Sequence, residues 1–268
     1  MPTLLSANSF FDPADFEHRQ IFGDGPVWEA LAGLKDYLAA GSYHALPLEI
    51  EIGCPLARTL VLHEGEFRDA AGLAIRYGAV GRGGLEVYEG DRLLAGASVI
   101  MAGVVLRGEK FRFGQGVLVE SGAFVEGPVM LGDFTEVRQG AYLRGNCLIG
   151  KRCVVGHVTE VKHTIFLDDA KAGHFAYLGD TILGNRVNLG AGTKMANLRF
   201  VGGNVGVRTP EGTVDTGLRK LGAILGDQVQ TGCNSVTNPG TLIGRRSFLL
   251  PNTTAPSGYH PDNSMIRG

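Results

Sequence analysis

The chain is poor in several features that would place a protein quickly. It has only four cysteines, Cys54, Cys147, Cys153 and Cys233. None sits in a CxxC pair, so no disulfide framework is legible. It lacks a basic excess: 25 Lys and Arg stand against 27 Asp and Glu, for a formal net charge of −2 and a pI near 6.4. A general nucleic-acid binder is excluded on that balance. The opening "MPTLLSANSFFDPADF" has no basic region followed by a long apolar run, so no signal peptide is expected. The most apolar stretch, residues 93–106, is shorter than the roughly 20 residues a spanning helix needs. No membrane association and a cytoplasmic location are therefore expected. Prolines number only 11, too few for a collagen or a proline-rich linker. No P-loop, GxGxxG or other glycine-rich nucleotide loop occurs in the first 98 residues.

Glycine, by contrast, is abundant, with 41 in 268 residues, and 44% of the chain is hydrophobic. Such a sequence can build a sizeable core and needs many turns. The order behind the turns is a repeat of six. From Phe113, steps of six reach Val119, Val125, Leu131, Val137, Leu143, Ile149, Val155 and Val161, all apolar. At this hydrophobic content such a run from one fixed start arises by chance about once in ~1,600. Four residues after each comes a mostly small series: Val117, Ala123, Val129, Thr135, Ala141, Cys147, Cys153, Thr159 and Ile165. The ladder shortens by one residue to Phe166, Ala172 and Leu178, and again to Leu183 and Leu189. After an interruption it resumes at Leu225, Thr231, Thr237, Ile243 and Leu249. Hexapeptide spacing of this kind predicts a mainly β fold, a parallel β-helix in which about three hexapeptides close one triangular coil. Cys147 and Cys153 fall on small inward positions and are read as packing residues.

Residues 1–98 do not repeat, and a small α+β region is expected there. Asp24 or Gly25, Pro26 and Gly41 bracket a helix with Val27, Leu31, Leu34 and Leu38 as its apolar stripe. "LPLEIEI" alternates like a strand, with Leu48, Ile50 and Ile52 on one face, and "LEVYEGDRLL" reads as a hairpin across residues 89–91. The β-helix is placed at 99–254, with residues 255–268 as a tail. An insertion at 196–223 carries Arg199, Arg208, Arg219 and Lys220 against Glu211 and Asp215. It is either a solvated loop or an anion site, since Arg and Lys suit phosphate.

Residues 158–200, with "EVK", "KAGHFAY" and "VNLGAGT", resemble the acetyltransferase domain of the bifunctional N-acetylglucosamine-1-phosphate uridyltransferase/glucosamine-1-phosphate acetyltransferase family. "GLRKLGAILGDQVQTGCNSVTNPGTLIG" is closer still to the archaeal sugar-1-phosphate nucleotidylyltransferase/acetyltransferases. The resemblance covers roughly residues 113–254. It implies a left-handed β-helix, a homotrimer with sites between neighbouring subunits, and acetyl-CoA as co-substrate with no metal. It implies His174 as the base that takes a proton from the sugar amine, with Glu160 supporting it. Arg144, Lys162 and Lys220 would bind the phosphate of a small-molecule sugar phosphate. Tyr177, Asn188 and Asn197 would meet the sugar, and Ala191 and Cys233 the cofactor. Leu198 stands where the bacterial enzymes have tyrosine, and Cys233 where they have a serine. The uridyltransferase half has no counterpart in residues 1–98, so an acetyltransferase lacking that domain is expected.

Two other readings fit the same coil. One is a non-catalytic sugar-phosphate or nucleotide-sugar binding module. The other is a zinc protein like the γ-class carbonic anhydrases, using His157, His163 and His174, although their spacing differs from that class.

Overall fold

The structure, a computed structural model, describes residues 3–267. Its strands form three long parallel sheets, the three faces of a prism. The first face runs from Ser98–Ile100 through Val154–His157 and Lys171–His174 to Met265–Ile266. The second includes Tyr142–Arg144, Glu160–Lys162, Tyr177–Gly179 and Lys194–Met195. The third runs from Phe111–Phe113 to Gly258–His260. The mainly β hexapeptide fold expected from the sequence is what forms, a parallel β-helix. All nine large residues of the first ladder, Phe113 to Val161, are buried in one continuous core. Cys147 and Cys153 are buried in it too, and burial pushes the Cys147 thiol up to about 12 and the Cys153 thiol further, so both stay neutral and inert.

The register change has a definite place. Tyr142 pairs with Glu160, eighteen residues on, but Glu160 pairs with Tyr177, seventeen residues on. The residue is lost at the corner between the second and third faces: inward Leu143 and Ile149 are six apart, inward Val161 and Phe166 only five. As a result Thr164, not Ile165, pairs with Cys147. Ile165, expected to point inward, faces outward instead.

Ile165 has company there. Met130, Leu148, Ile182, Ile224 and Leu242 hold the same outward position on successive third-face strands, and all are buried. The N-terminal segment covers them. Leu5, Phe10, Phe11 and Phe16 pack on this apolar strip together with Val27, Leu31, Leu34 and Leu38. The helix itself spans Glu29–Ala39. It starts later than Pro26 because Val27 donates to Leu5 O and Pro26 bridges to Ser6, so residues 26–28 form a turn tied to that segment before the helix begins. Full burial of each such side chain contributes roughly 1.5–3 kcal/mol.

Three other expectations change. Residues 46–52 form no strand: Ile50 N–H turns back to Pro47 O and Leu48 is fully exposed, so alternation there has no partner strand to serve. Residues beyond 254 are not a loose tail, since Gly258–His260 and Met265–Ile266 extend the third and first faces. The insertion is not simply solvated. Gly206–Thr209 and Gly212–Asp215 pair as a hairpin, and Val205, Val207 and Leu221 join the cluster over the third face. The hairpin expected near residue 90 does form, with Glu89 opposite Arg92.

Three histidines sit where the N-terminal segment docks. Burial lowers the pKa of His18, His44 and His163 below the ordinary 6.5. Gln20 donates to the Tyr37 hydroxyl, whose own proton is then free to go to His18 Nδ1 at 2.7 Å, which requires an unprotonated nitrogen. As pH falls, the unfolded chain takes up these protons first. Their contribution to stability is therefore complete above about pH 6.5 and is lost as pH falls through the depressed folded values. We predict a melting temperature that drops between pH 7.5 and 5.5. The slope should be shallower in His18→Asn, whose Oδ1 can accept the same proton, as differential scanning fluorimetry would show.

Candidate functional site

Stacking fixes which side chains can meet. At the corner between the first and second faces, one position per coil runs His157, His174, Ala191, Cys233. His157 and His174 are register partners, Gly192 N–H bonds to His174 O, and Asn234 N–H bonds to Ala191 O. The three residues expected for base and cofactor, His174, Ala191 and Cys233, thus form one column. His174 and Cys233 are exposed and Ala191 is half-buried.

The position just before each is glycine on four coils: Gly156, Gly173, Gly190 and Gly232. A Cβ on Gly156 would run into Gly173 O, and one on Gly190 or Gly232 would press on the backbone of the next coil. A Cβ on Gly173 would meet nothing within 4 Å. The strip beside His174 is therefore bare backbone with open space over Gly173. Next to the column, Val158 and Phe175 hold left-handed φ values of 48° and 52° and are exposed. The Phe175 ring lies edge-on to His157, centroids 5.4 Å apart.

The second group lies on the second face and its far edge. Tyr142, Glu160, Tyr177 and Lys194 make one outward column there. Arg144 Nη1 donates to Glu160 Oε1 at 2.5 Å, and its guanidinium lies 5.7 Å from the Tyr142 ring centre. The hydrogen bond to Glu160 holds the Arg144 pKa above its ordinary value, with burial opposing. Gly179 leaves the room in which the Tyr177 hydroxyl and the Asn197 amide come together, since a Cβ there would collide with both. Asn197 Nδ2 donates to Asp180 Oδ2 at 2.5 Å, and both residues are buried. Burial first, then the Glu160 and Asp180 charges, raises the Tyr177 pKa, so its hydroxyl keeps its proton. Lys220 enters at the same edge, because Leu198 bridges to it and Leu221 N–H bonds to Asn197 O.

Arg144, Glu160, Lys162, Tyr177, Asn197 and Lys220 are therefore gathered around one face and edge, whereas His174, Ala191 and Cys233 occupy the opposite edge. Asn188 points outward from the first face, in register with Lys171. Within one chain Glu160 makes no hydrogen bond to His174; its carboxylate is taken by Arg144. His163 sits at the second–third corner with Nε2 bonded to Leu31 O, so His157, His163 and His174 do not converge. Among the described residues no group of three or more metal-ligating side chains is found. Two contributors escaped sequence reasoning, Asp180 and Gly179. Both stand in "YLGD", and their role depends on the insertion returning Asn197 to that corner. Arg208, read with the cationic loop, instead donates to Ser257 O at the far end of the coil.

Comparison with known proteins supports the resemblance. Residues 125–231 match the family described as GMPPB C-terminal domain. The coil region is acetyltransferase-like. A bifunctional sugar-1-phosphate nucleotidylyltransferase/acetyltransferase of Sulfurisphaera tokodaii is 40% identical over 91 residues, 34% of this chain and 23% of that one. A bifunctional protein GlmU of Methanococcus aeolicus is 35% identical over 107 residues, 40% of this chain and 26% of the other. The chain thus aligns with about a quarter of the length of these relatives. The perosamine N-acetyltransferase of Caulobacter crescentus, as a mutant with CoA and GDP-perosamine, aligns over 59% of this chain and 52% of its own. That alignment has a TM-score of 0.28 at 18% identity.

The glycine strip yields a prediction independent of function. Gly173→Ala should keep the wild-type melting temperature. Gly156→Ala should lose about 1–3 kcal/mol, because backbone must move to admit the methyl group; urea unfolding of the two variants measures the difference.

Proposed function

We propose that the protein is an acetyl-CoA-dependent N-acetyltransferase acting on an amino-sugar 1-phosphate or a close relative of one. The observation that carries this reading is the column His174, Ala191, Cys233 beside a bare glycine strip, with a separate set of cations and sugar-sized polar groups on the second face. The strip offers backbone N–H and C=O groups and clearance for a narrow, extended chain such as pantetheine. The second face offers Arg144 and Lys162 for a phosphate, and Tyr177 and Asn197 for hydroxyls.

A sugar amine has an ordinary pKa of about 8 and attacks only as the free base. Its nitrogen bonds to the thioester carbonyl carbon and sheds a proton as it does so. His174 accepts that proton through an imidazole nitrogen. The tetrahedral intermediate then collapses, the C–S bond breaks, and the CoA sulfur leaves and is protonated. A positioned base of this kind contributes roughly 10²–10⁴ in rate. The phosphate clamp adds to this by fixing the amine relative to the thioester.

Because the base and the phosphate ligands lie on opposite edges of one prism, we place the working site between copies of the chain. The His174 corner of one would face the second face of its neighbour, in a homotrimer. Two experiments test this. His174→Ala should keep its melting temperature and lose at least about tenfold in CoA release with hexosamine 1-phosphates; full turnover would remove the assignment. Co-assembly of His174→Ala with Lys162→Ala chains in equal amounts should restore activity at about one quarter of the sites, because a quarter pair an intact histidine with an intact lysine. No recovery would place both residues of each site in one chain. Thiol release with none of the hexosamine phosphates would favour the binding-module reading, which the engagement of Glu160 by Arg144 also suits.

A further inference from the structure

A cleft of about 330 Å³ lies over the second–third corner, on the far side of the second face from His174. Three separate parts of the chain line it. The N-terminal helix brings Leu31, Ala32 and Lys35, the corners bring His163 and Asp180, and the insertion brings Leu218, Arg219 and Lys220. Lys35, Arg219 and Lys220 are exposed, and none makes an ion pair among the described residues. The one acid in the cleft, Asp180, is buried and already accepts from Asn197.

Like charges brought together from three segments raise the local positive potential, which draws an anion to the cleft. The cleft floor adds no charge of its own: His163 Nε2–H donates to Leu31 O at 3.0 Å, and burial lowers the pKa of the ring.

We infer that this cleft is a phosphoryl-binding site in which Lys35 and Arg219 act with Lys220, so that the N-terminal segment takes part in recognising the acceptor. The inference rests on the acetyl-acceptor reading above and deepens it. The cleft adjoins the edge of the second face that carries Arg144 and Lys162. The same phosphoryl chemistry can come from the 1-phosphate of an amino sugar reaching over the edge, or from the second phosphate of a diphosphate-linked amino sugar. Lys35 projects from the exposed side of a helix whose buried stripe is Leu31, Leu34 and Leu38, so replacing it removes charge without touching the core.

The test is binding of inorganic pyrophosphate and phosphate to the full chain by titration calorimetry at fixed salt, with wild type, Lys35→Gln, Arg219→Gln and, as control, Arg82→Gln from an unrelated exposed turn. Pyrophosphate affinity should fall about tenfold in Lys35→Gln and in Arg219→Gln and stay unchanged in Arg82→Gln and in His174→Ala. Absence of pyrophosphate binding, or equal losses in Lys35→Gln and Arg82→Gln, overturns the site. Pyrophosphate bound more tightly than phosphate assigns the diphosphate source; equal affinities assign the 1-phosphate source. Binding needs no turnover, so the cleft and the catalytic reading fail separately. Loss of binding in Lys35→Gln alongside an inactive wild type keeps the cleft and removes the enzyme. Acetyl transfer with a KM that Lys35→Gln leaves unmoved, and no pyrophosphate binding, does the reverse.

Discussion

The stacking of inward side chains from one coil to the next is the constraint on which everything else depends. Val125, Leu143, Val161 and Leu178 lie above one another in the core, and each backbone bonds to the coils before and after it. A residue's outward neighbours are then set by its position in the coil rather than by local preference. That is why four consecutive coils can keep glycine beside the His174 column, and why an exposed strain such as Val158 at positive φ is held in place. A β-branched residue there is disfavoured by itself, and the coils on either side leave the backbone no alternative.

The same constraint explains why the edge between the second and third faces is where the coil changes most. Two successive coils lose a residue there, and the third gives rise to the insertion. A shortened corner draws His163 and Asp180 tightly round the edge. The insertion returns at the same place and puts Asn197 on Asp180 and Lys220 beside it. Polar groups that would cost several kcal/mol if buried alone are thereby satisfied in pairs. At this edge one buried nitrogen is left unmatched, the acceptor Nδ1 of His163 on the wall of the cleft.

Much of this was legible in the sequence, and the failures share a cause. The nine residues from Phe113 to Val161 announced the coil because an inward position recurs every six residues regardless of context. Ile165 was misplaced because the lost residue falls between Val161 and Phe166, and counting back from either side gives a different answer for the residue between. The dock for the N-terminal helix was also written in the sequence, as Met130, Leu148, Ile165, Ile182, Ile224 and Leu242 at one position per coil. Outside the step from Ile182 to Ile224, which spans the insertion, that period is seventeen or eighteen residues, invisible until the coil length is known. Pairwise contacts such as Glu160 with Arg144, or Asn197 with Asp180, depend on which outward columns adjoin, and no local signal encodes them.

Covering the third face has a consequence for assembly. A bare prism offers three similar faces to a second copy, and several packings would compete. Here the N-terminal segment and the hairpin of the insertion bury the apolar strip of the third face. Val158 and Phe175 are exposed at the opposite edge, between the first and second faces, while Leu198, Phe200 and Val201 are exposed where the insertion leaves the coil. Association through the uncovered faces would bring the His174 corner of one chain toward the second face of another, the juxtaposition the proposed split site needs. On that proposal the N-terminal segment would act twice on the same geometry: it covers the apolar strip of the third face, and its helix carries Lys35 to the edge where the acceptor's phosphate end would lie.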